Sequence, residues 1–262
     1  MSEKAAAVSI RIGSIFALVI IWYFAAMLMA DAEVLPGPLA IAYAIFGVLV
    51  EPGPEGRSAF FHVGITLGRT FITFGVAMAL GIAIGLAMGL RKTIEYSMMS
   101  LIPLALTMPT ILMVFLAVMW FGFNEIGSLV AVVGVVTPYV AVNIFQGAQA
   151  MDKSVIDMAT VFRADKKMMI RKVYIPQLLP YIFSAFRFAF GMTWKIVALA
   201  ETFGIKYGIG YMFFFWFEQF NMELVLAWII MFVILMLILE HGVFARLEHA
   251  AFKWRPANKL QT

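Results

Sequence analysis

The sequence predicts an all-α protein that crosses a membrane six times and carries one polar helical loop on the cytoplasmic side. Three observations lead to this fold class. Hydrophobic residues make up 63% of the 262 residues and charged residues only 13%, against roughly 25% charged residues in soluble domains. Charge-poor windows recur at about the 20-residue length that crosses a bilayer as a helix. The basic residues, in turn, are concentrated in a few of the segments between those windows.

Six windows are long enough to be spans. Four contain no charged residue, at 12–30, 70–90, 96–124 and 126–151. The fifth, 178–203, contains three charged residues, and the sixth runs from 224 through a histidine to about 244. A shorter apolar run, 39–50, lies between "LPGP" and "EPGPEG". Its 12 residues are too few to span, so it predicts an interfacial or re-entrant helix.

The distribution of basic residues predicts the orientation in the membrane. With the N-terminus inside, 14 of the 19 Lys and Arg residues lie in the cytoplasm, as the positive-inside rule requires. Arg187 and Lys195 fall within the fifth span, and Arg57, Arg69 and Lys206 lie outside. This asymmetry explains the basic pI of 9.3 without a nucleic-acid partner.

These spans divide the chain into three predicted parts. Residues 1–63 hold the first span and a periplasmic interfacial segment, 64–244 form a core of five spans, and 245–262 are a cytoplasmic tail. The first apolar run is 19 residues long, longer than the roughly 7 to 15 of a signal-peptide core. We therefore expect an uncleaved first span.

Sequence motifs of enzymatic chemistry are missing. The chain has no cysteine, and its three histidines, His62, His241 and His249, belong to no metal-binding motif. No Walker-type phosphate loop occurs either. We expect no catalytic residue, no metal and no cofactor.

Three glycines of the second span recur every four residues, at Gly81, Gly85 and Gly89. Small residues at this spacing let two helices approach closely in lipid. The pattern predicts a packing seam.

The longest polar loop, 147–178, has the pattern of a rigid projection, which we call the hook. Within 151–164, apolar residues recur at a helical period at Met151, Val155, Met158, Ala159 and Phe162. Asp165 is placed to cap a second helix, and Pro176 and Pro180 precede the fifth span. The alternative is a solvated loop that only satisfies the topology. The apolar stripe favours a hook, because such a stripe needs a partner surface to cover it.

The hook resembles the coupling loop of ATP-binding cassette importer permeases, whose pattern is E-A-A, a glycine, then I-x-L-P. Here Asp157, Met158 and Ala159 stand at E-A-A, Arg163 at the glycine, and 173–176 at I-x-L-P. Stretches such as "LAVMWFGFNEIG" and "MTWKIVALAETFGIKYGIGY" are similar to the nitrate, sulfonate, taurine and bicarbonate type, a group that also includes permeases for thiamine-precursor pyrimidines. The resemblance covers about 35–256.

This resemblance implies a type I importer permease in a bacterial inner membrane that hydrolyses no ATP itself. The implied partners are separate ATPase subunits that grip the hook, a second permease copy in a homodimer, a periplasmic substrate-binding protein, and the lipid bilayer. The residues implied to couple to the ATPase are Asp157, Met158, Ala159, Phe162, Arg163, Ala164, Ile175 and Pro176. Glycine adopts a positive φ at low cost and arginine does not, so we expect the break at Arg163 to shift to Ala164 and Asp165.

The fifth span carries the candidate residues of the translocation pathway. Arg187, Gly191, Trp194, Ala198 and Glu201 recur at a spacing that places them near one helix face, and Lys195 borders that face. Ionisable groups in a span usually face a cavity or a partner. We therefore assign Arg187, Trp194, Lys195 and Glu201 to the pathway, with internal pairing between helices as the alternative. Lys195 favours an anionic substrate, and the resemblance also admits a heteroaromatic one.

Two other classes of function fit the sequence less well than an importer subunit. An ion-coupled secondary transporter would also bury charges, but it has no need of an amphipathic hook, and no inverted repeat is visible. An integral membrane enzyme needs a cluster of histidines or carboxylates at a membrane face, which the sequence lacks.

Overall fold

The structure is a computed structural model that describes residues 3–29, 31–203, 205–240 and 242. It confirms the predicted all-α class, since the described residues form helices joined by short turns. The α-helices are α1 (Glu3–Met29), α2 (Pro38–Val50), α3 (Ala59–Leu90), α4 (Lys92–Thr107), α5 (Thr110–Phe121), α6 (Glu125–Gln149), α7 (Lys153–Val161), α8 (Lys166–Met168), α9 (Ile175–Thr202), α10 (Ile209–Glu218) and α11 (Met222–Leu239). The predicted tail 245–262, His241, His249 and the end of the sixth span lie outside the described residues.

Four of the described helical segments are long and apolar enough to cross a membrane. They are Ala59–Leu90, Glu125–Gln149, Lys166–Thr202 and Met222–Leu239. The bent pair α4 and α5 makes a fifth if it is counted as one span. The apolar part of α1, Gly13–Met29, is shorter, and so is α2. The predicted short helix at 39–50 is thus confirmed as a helix of 13 residues.

The predicted span 96–124 differs most from the structure, because it is broken into α4 and α5. The two helices meet at an angle of 100°. The break lies at Met108 and Pro109, which both have extended backbone with ψ of 130° and 126°. A residue that precedes proline is disfavoured in the α-helical region, so Met108 ends α4. A new helix starts at Thr110.

The chain divides into two compact units. The first comprises Met1–Gly64 and Tyr207–Met236, and the second comprises Ile65–Lys206 and Leu237–Thr262. The first unit thus contains the N-terminal helices together with α10 and most of α11. The predicted division into consecutive segments does not group these helices. The predicted three-part division stays a prediction.

In the first unit, His62 lies inside an aromatic cluster. The imidazole is buried and contacts Trp228 edge to face at 5.8 Å between ring centroids, while the Tyr211 ring lies parallel to it at 6.3 Å. His62 Nδ1 accepts the backbone N–H of Gly208 at 3.2 Å. Gly208 has a φ of 119°, which a glycine adopts without steric cost. The cluster therefore fixes the turn that starts α10.

In the second unit, the glycine stripe of α3 packs on α6, as the sequence predicted. A Cβ on Gly85 would lie 2.5 Å from the carbonyl oxygen of Ala141, and one on Gly89 would lie 2.6 Å from Ala148 Cβ. A Cβ on Gly81 would meet Val140 at still closer range. Only glycine allows this approach of the two backbones.

The core of the second unit is built along α6 and α9. α6 packs along α9 and against α5. Among its fully buried side chains are Val132, Val136 and Ile144 of α6 and Val197 of α9. This core holds α9 on one side only.

Candidate functional site

The first arm of the hook is α7, and its start is fixed by a side-chain cap. Asp152 accepts a hydrogen bond from the Ser154 backbone N–H at 2.8 Å and another from the Ser154 hydroxyl at 2.7 Å. Both hydrogen bonds lower the pKa of the Asp152 carboxyl below its ordinary value, and the bond from the hydroxyl has the larger effect. Such a cap satisfies N–H groups that the first helical turn leaves free. α7 therefore begins at a defined residue.

The turn at the tip of the hook corrects our expectation for Arg163. Arg163 itself adopts the left-handed conformation, with a φ of 53°, so the break does not shift to Ala164 and Asp165. Its N–H donates to Thr160 O at 2.9 Å, and the Ala164 N–H donates to Ala159 O at 3.0 Å. These two bonds form a Schellman motif. Arginine therefore takes a position that glycine usually holds, because the two bonds fix the backbone.

The hook presents an apolar face to solvent. Met158, Val161 and Phe162 are 54%, 80% and 80% exposed, and their spacing of three and four residues places them on one side of α7. Ala159 is buried, so it belongs to the interior of the hook and does not contribute to this surface. Val161 contributes to this surface but was not among the coupling residues assigned from the sequence.

The second arm of the hook is continuous with the fifth span. Asp165 caps it as predicted, accepting the Met168 N–H at 2.7 Å. A π-helical segment, 169–174, then joins α8 to α9. Pro176 and Pro180 have no N–H to donate to the preceding turn, which favours such a local change of helix type. Motion of this arm is therefore motion of α9 itself.

The eight predicted coupling residues differ in exposure. The exposed ones are Asp157, Met158, Phe162, Arg163 and Ile175, the half-buried ones are Ala164 and Pro176, and the buried one is Ala159. The structure thus brings most of them to the surface of one projection.

α9 has one face that the described residues leave largely uncovered, which we call the open face. It consists of Ser184, Arg187, Phe188, Gly191, Lys195 and Ala198, each exposed or half-buried. A Cβ on Gly191 would find nothing within 4 Å. The opposite face, with Ala185, Ala189 and Thr193, is fully buried. Lys195 therefore points away from the core of its own chain.

The four predicted pathway residues do not share a face. Arg187 and Lys195 lie on the open face, and Arg187 is 3.8 Å from Glu240. Trp194 and Glu201 are fully buried. The five residues that the sequence placed near one face, from Arg187 to Glu201, span about 80° around the helix axis. This sector crosses the boundary between the open face and the buried face.

Glu201 is part of a buried ionic network that the sequence analysis missed. Arg69 Nη1 donates to Glu201 Oε1 at 2.8 Å, and Thr66 Oγ1 lies 3.0 and 2.9 Å from the two carboxylate oxygens. Arg69 also donates to Glu125 Oε2 at 2.7 Å and to the backbone oxygen of Lys206 at 2.9 Å. The network ties α3, α6 and α9 together. The sequence shows only that Arg69 and Glu201 lie near the outer ends of two predicted spans.

No cluster for metal chemistry is present among the described residues, where no three His, Cys, Asp or Glu side chains could hold one ion. The candidate site therefore consists of three features. They are the exposed apolar face of the hook, the open face of α9 with Lys195, and the buried ionic network around Glu201.

Comparison with known proteins agrees with this arrangement. The chain is 29% identical to a Bacillus subtilis (strain 168) protein named as an aliphatic sulfonates transport permease, SsuC, over 87% of this chain and 80% of the relative. It is 26% identical to the formylaminopyrimidine transport permease protein ThiX of Halalkalibacterium halodurans, over 91% and 92%. A chain of the MetNI methionine ABC transporter, solved in inward-facing conformations, has the same fold, with a TM-score of 0.64 at 16% identity over 72% of this chain and 94% of that one.

The family comparison covers most of the predicted core. Residues 72–245 match the family described as "Binding-protein-dependent transport system inner membrane component". The matched segment contains the hook, the open face of α9 and Glu201. The chain therefore belongs to the family of inner membrane components of binding-protein-dependent transport systems.

Proposed function

We propose that this inner membrane transport subunit carries a small anionic solute along the open face of α9, driven by separate ATPase subunits that bind the hook. The observation that carries the proposal is the position of Lys195. This cation lies about 9 Å along the helix from Glu201, within a membrane span, and it is exposed. A lysine at such a depth costs at least about 2.5 kcal/mol in lipid. It must therefore meet water, a partner or a substrate.

The substrate class follows from the charge of that face and from two relatives. Lys195 leaves the open face with a net positive charge, since Arg187 on the same face is 3.8 Å from Glu240. A positive charge favours anions. One relative is named for aliphatic sulfonates, which are anionic, and another for a formylaminopyrimidine, which is heteroaromatic. A sulfonate fits the face best. A periplasmic binding protein, as the family description implies, would deliver it.

The pathway requires a second copy of the chain. The described part of one chain leaves the open face largely uncovered, and a single exposed helix face cannot enclose a solute. We propose a homodimer in which two open faces border one path. Symmetric pairing of identical surfaces is the commonest form of oligomer.

The hook supplies the link to ATP. An ATPase groove that covers Met158, Val161 and Phe162 would bury an apolar surface that the chain alone leaves exposed. Closure of the two ATPase subunits would then move both hooks, and with them both α9 helices, since the second arm is continuous with α9. Rigid-body switching of this kind changes which side of the path is open.

The test compares Lys195→Met with Lys195→Arg in proteoliposomes that contain the complete transporter and its binding protein. The probes are a radiolabelled aliphatic sulfonate and a formylaminopyrimidine. We expect Lys195→Met to assemble normally and to lose sulfonate uptake on the order of tenfold, the effect of one charged contact. Lys195→Arg should retain most of it. Wild-type uptake by Lys195→Met would refute the proposed path, and failed assembly would show that Lys195 joins helices.

A further inference from the structure

The base of the hook is held by one directional contact from the fifth span. The Asp152 backbone N–H, at the start of α7, donates to Gln177 Oε1 in the first turn of α9 at 2.7 Å. In the described part of the chain, this is the only side-chain hydrogen bond that joins the first arm of the hook to its second arm or to α9. The two residues are 25 positions apart.

A second contact beside it locks α6 to α9. A Cβ on Gly147 would lie 2.6 Å from Tyr181 Cγ, so the Tyr181 ring packs directly on the α6 backbone. Gln177 and Tyr181 are four residues apart and therefore lie on one side of α9. Only the residues 150–152 separate the end of α6 from the start of α7. The end of α6, the start of the hook and the start of α9 thus meet at one point.

Only the oxygen of the Gln177 side-chain amide takes part in this contact. Its Nε2 is buried and finds no hydrogen-bond partner among the described residues, while its Oε1 accepts a short bond. An apolar side chain of similar size would avoid the unpaired N–H group. The bond to Asp152 is therefore the specific contribution of the glutamine.

We propose that Gln177 is the positioning residue that makes the first arm of the hook move with α9. Without its bond, the base of α7 can move at 150–152 relative to α9, while the buried Ala159 and Val173 still hold the two arms together near the tip. With the bond, a displacement at Met158, Val161 and Phe162 reaches α9 through both arms. This inference rests on the coupling function proposed for the hook.

The experiment measures communication in the complete transporter reconstituted in proteoliposomes. Gln177→Met removes the acceptor and keeps the length of the side chain, and Gln177→Glu keeps an Oε acceptor. The readouts are ATPase activity with and without the binding protein as purified from the native organism, and co-purification of the ATPase. A cysteine at Phe162, in a chain that has none of its own, reports docking by cross-linking to the ATPase.

We expect Gln177→Met to keep assembly, basal ATPase activity and the Phe162 cross-link, while stimulation by the binding protein falls roughly two- to tenfold, the effect of one hydrogen bond. Gln177→Glu should restore stimulation. Unchanged stimulation in Gln177→Met with an intact cross-link would overturn the positioning role alone. Loss of assembly in that variant would also overturn it, since the bond would then be structural. If the complex that carries the cysteine at Phe162 and the native Gln177 forms no cross-link, the coupling function is refuted, and the positioning role of Gln177 with it.

Discussion

Arg69 of α3 and Glu201 of α9 form an ion pair of 2.8 Å in which the Glu201 side chain is fully buried and the Arg69 side chain is 7% exposed. Burial of two charges is costly, and further hydrogen bonds to both side chains offset that cost. The Thr66 hydroxyl also donates to Glu201, and Glu125 accepts a hydrogen bond from Arg69. The pair therefore fixes α9 against α3.

We predict that Arg69→Met destabilises the protein by about 3 to 5 kcal/mol, because the Glu201 carboxylate then stays buried without a cation. Glu201→Met should cost less, because Arg69 keeps Glu125 as its partner. The double variant should lose less than the sum of the two. Thermal unfolding in detergent, analysed as a double-mutant cycle, measures the difference. Additive losses would show that the two side chains do not act as a pair.

Gly85→Ala should disrupt the seam between α3 and α6. The added methyl group would lie 2.5 Å from the Ala141 carbonyl oxygen, and a backbone atom cannot move aside cheaply. Overpacking of this kind costs about 1 to 3 kcal/mol. The matched control is Gly75→Ala in the same helix, where a Cβ meets nothing within 4 Å, so helix propensity should make it neutral or slightly stabilising. Equal melting temperatures for the two variants would contradict the seam.

Arg163→Gly should stabilise the tip of the hook. A left-handed conformation costs a residue with a Cβ about 1 to 2 kcal/mol, and glycine is free of that cost. Arg163→Ala is the control, since it removes the guanidinium but keeps the Cβ. Hydrogen exchange of peptides that cover 159–168 should slow in Arg163→Gly only. Equal slowing in both variants would show that the charge, and not the backbone, sets the stability of the turn.

Phe162→Asp should uncouple the ATPase without preventing insertion in the membrane. The change places a charge in the centre of the apolar face, and loss of an anchor residue at an interface costs about 2 kcal/mol or more. Thr160→Asp adds the same charge on the same helix, outside the face formed by Met158, Val161 and Phe162. Co-purification of the ATPase should fall in the first variant and persist in the second. If both complexes stay intact, the ATPase does not bind this face.

The hook and the glycine seam could be predicted because each depends on local sequence. Each can be recognised within a few residues of sequence, from a helical period, a capping aspartate or a glycine at every fourth position. The break at Met108 and the π-helical segment were missed, although prolines marked both places. Prolines are common in membrane spans, and neighbouring helices decide whether a proline breaks one.

The network around Glu201 could not be predicted in the same way. Arg69 and Glu201 are 132 positions apart, and nothing in the sequence pairs them. The helical period of Trp194 and Glu201 could be predicted from the sequence but their burial could not, because the edge of the buried face is set by packing against α6. Their place on the pathway stays a prediction. Arg163 was misjudged because the intrinsic cost of a positive φ was weighed without the two backbone bonds that offset it.

The most direct test of the proposed pathway is thiol accessibility along α9 in the assembled transporter. Single cysteines are introduced at Ser184, Gly191 and Lys195 on the open face, and at Ala185, Ala189 and Thr193 on the buried face. Each variant is treated with a membrane-impermeant, sulfonate-bearing thiol reagent. We expect the first set to react, at rates that change when the ATPase is trapped with ADP and vanadate, and the second set to stay unmodified. Modification of the first set only by a lipid-soluble reagent would place the open face against the bilayer and contradict the pathway.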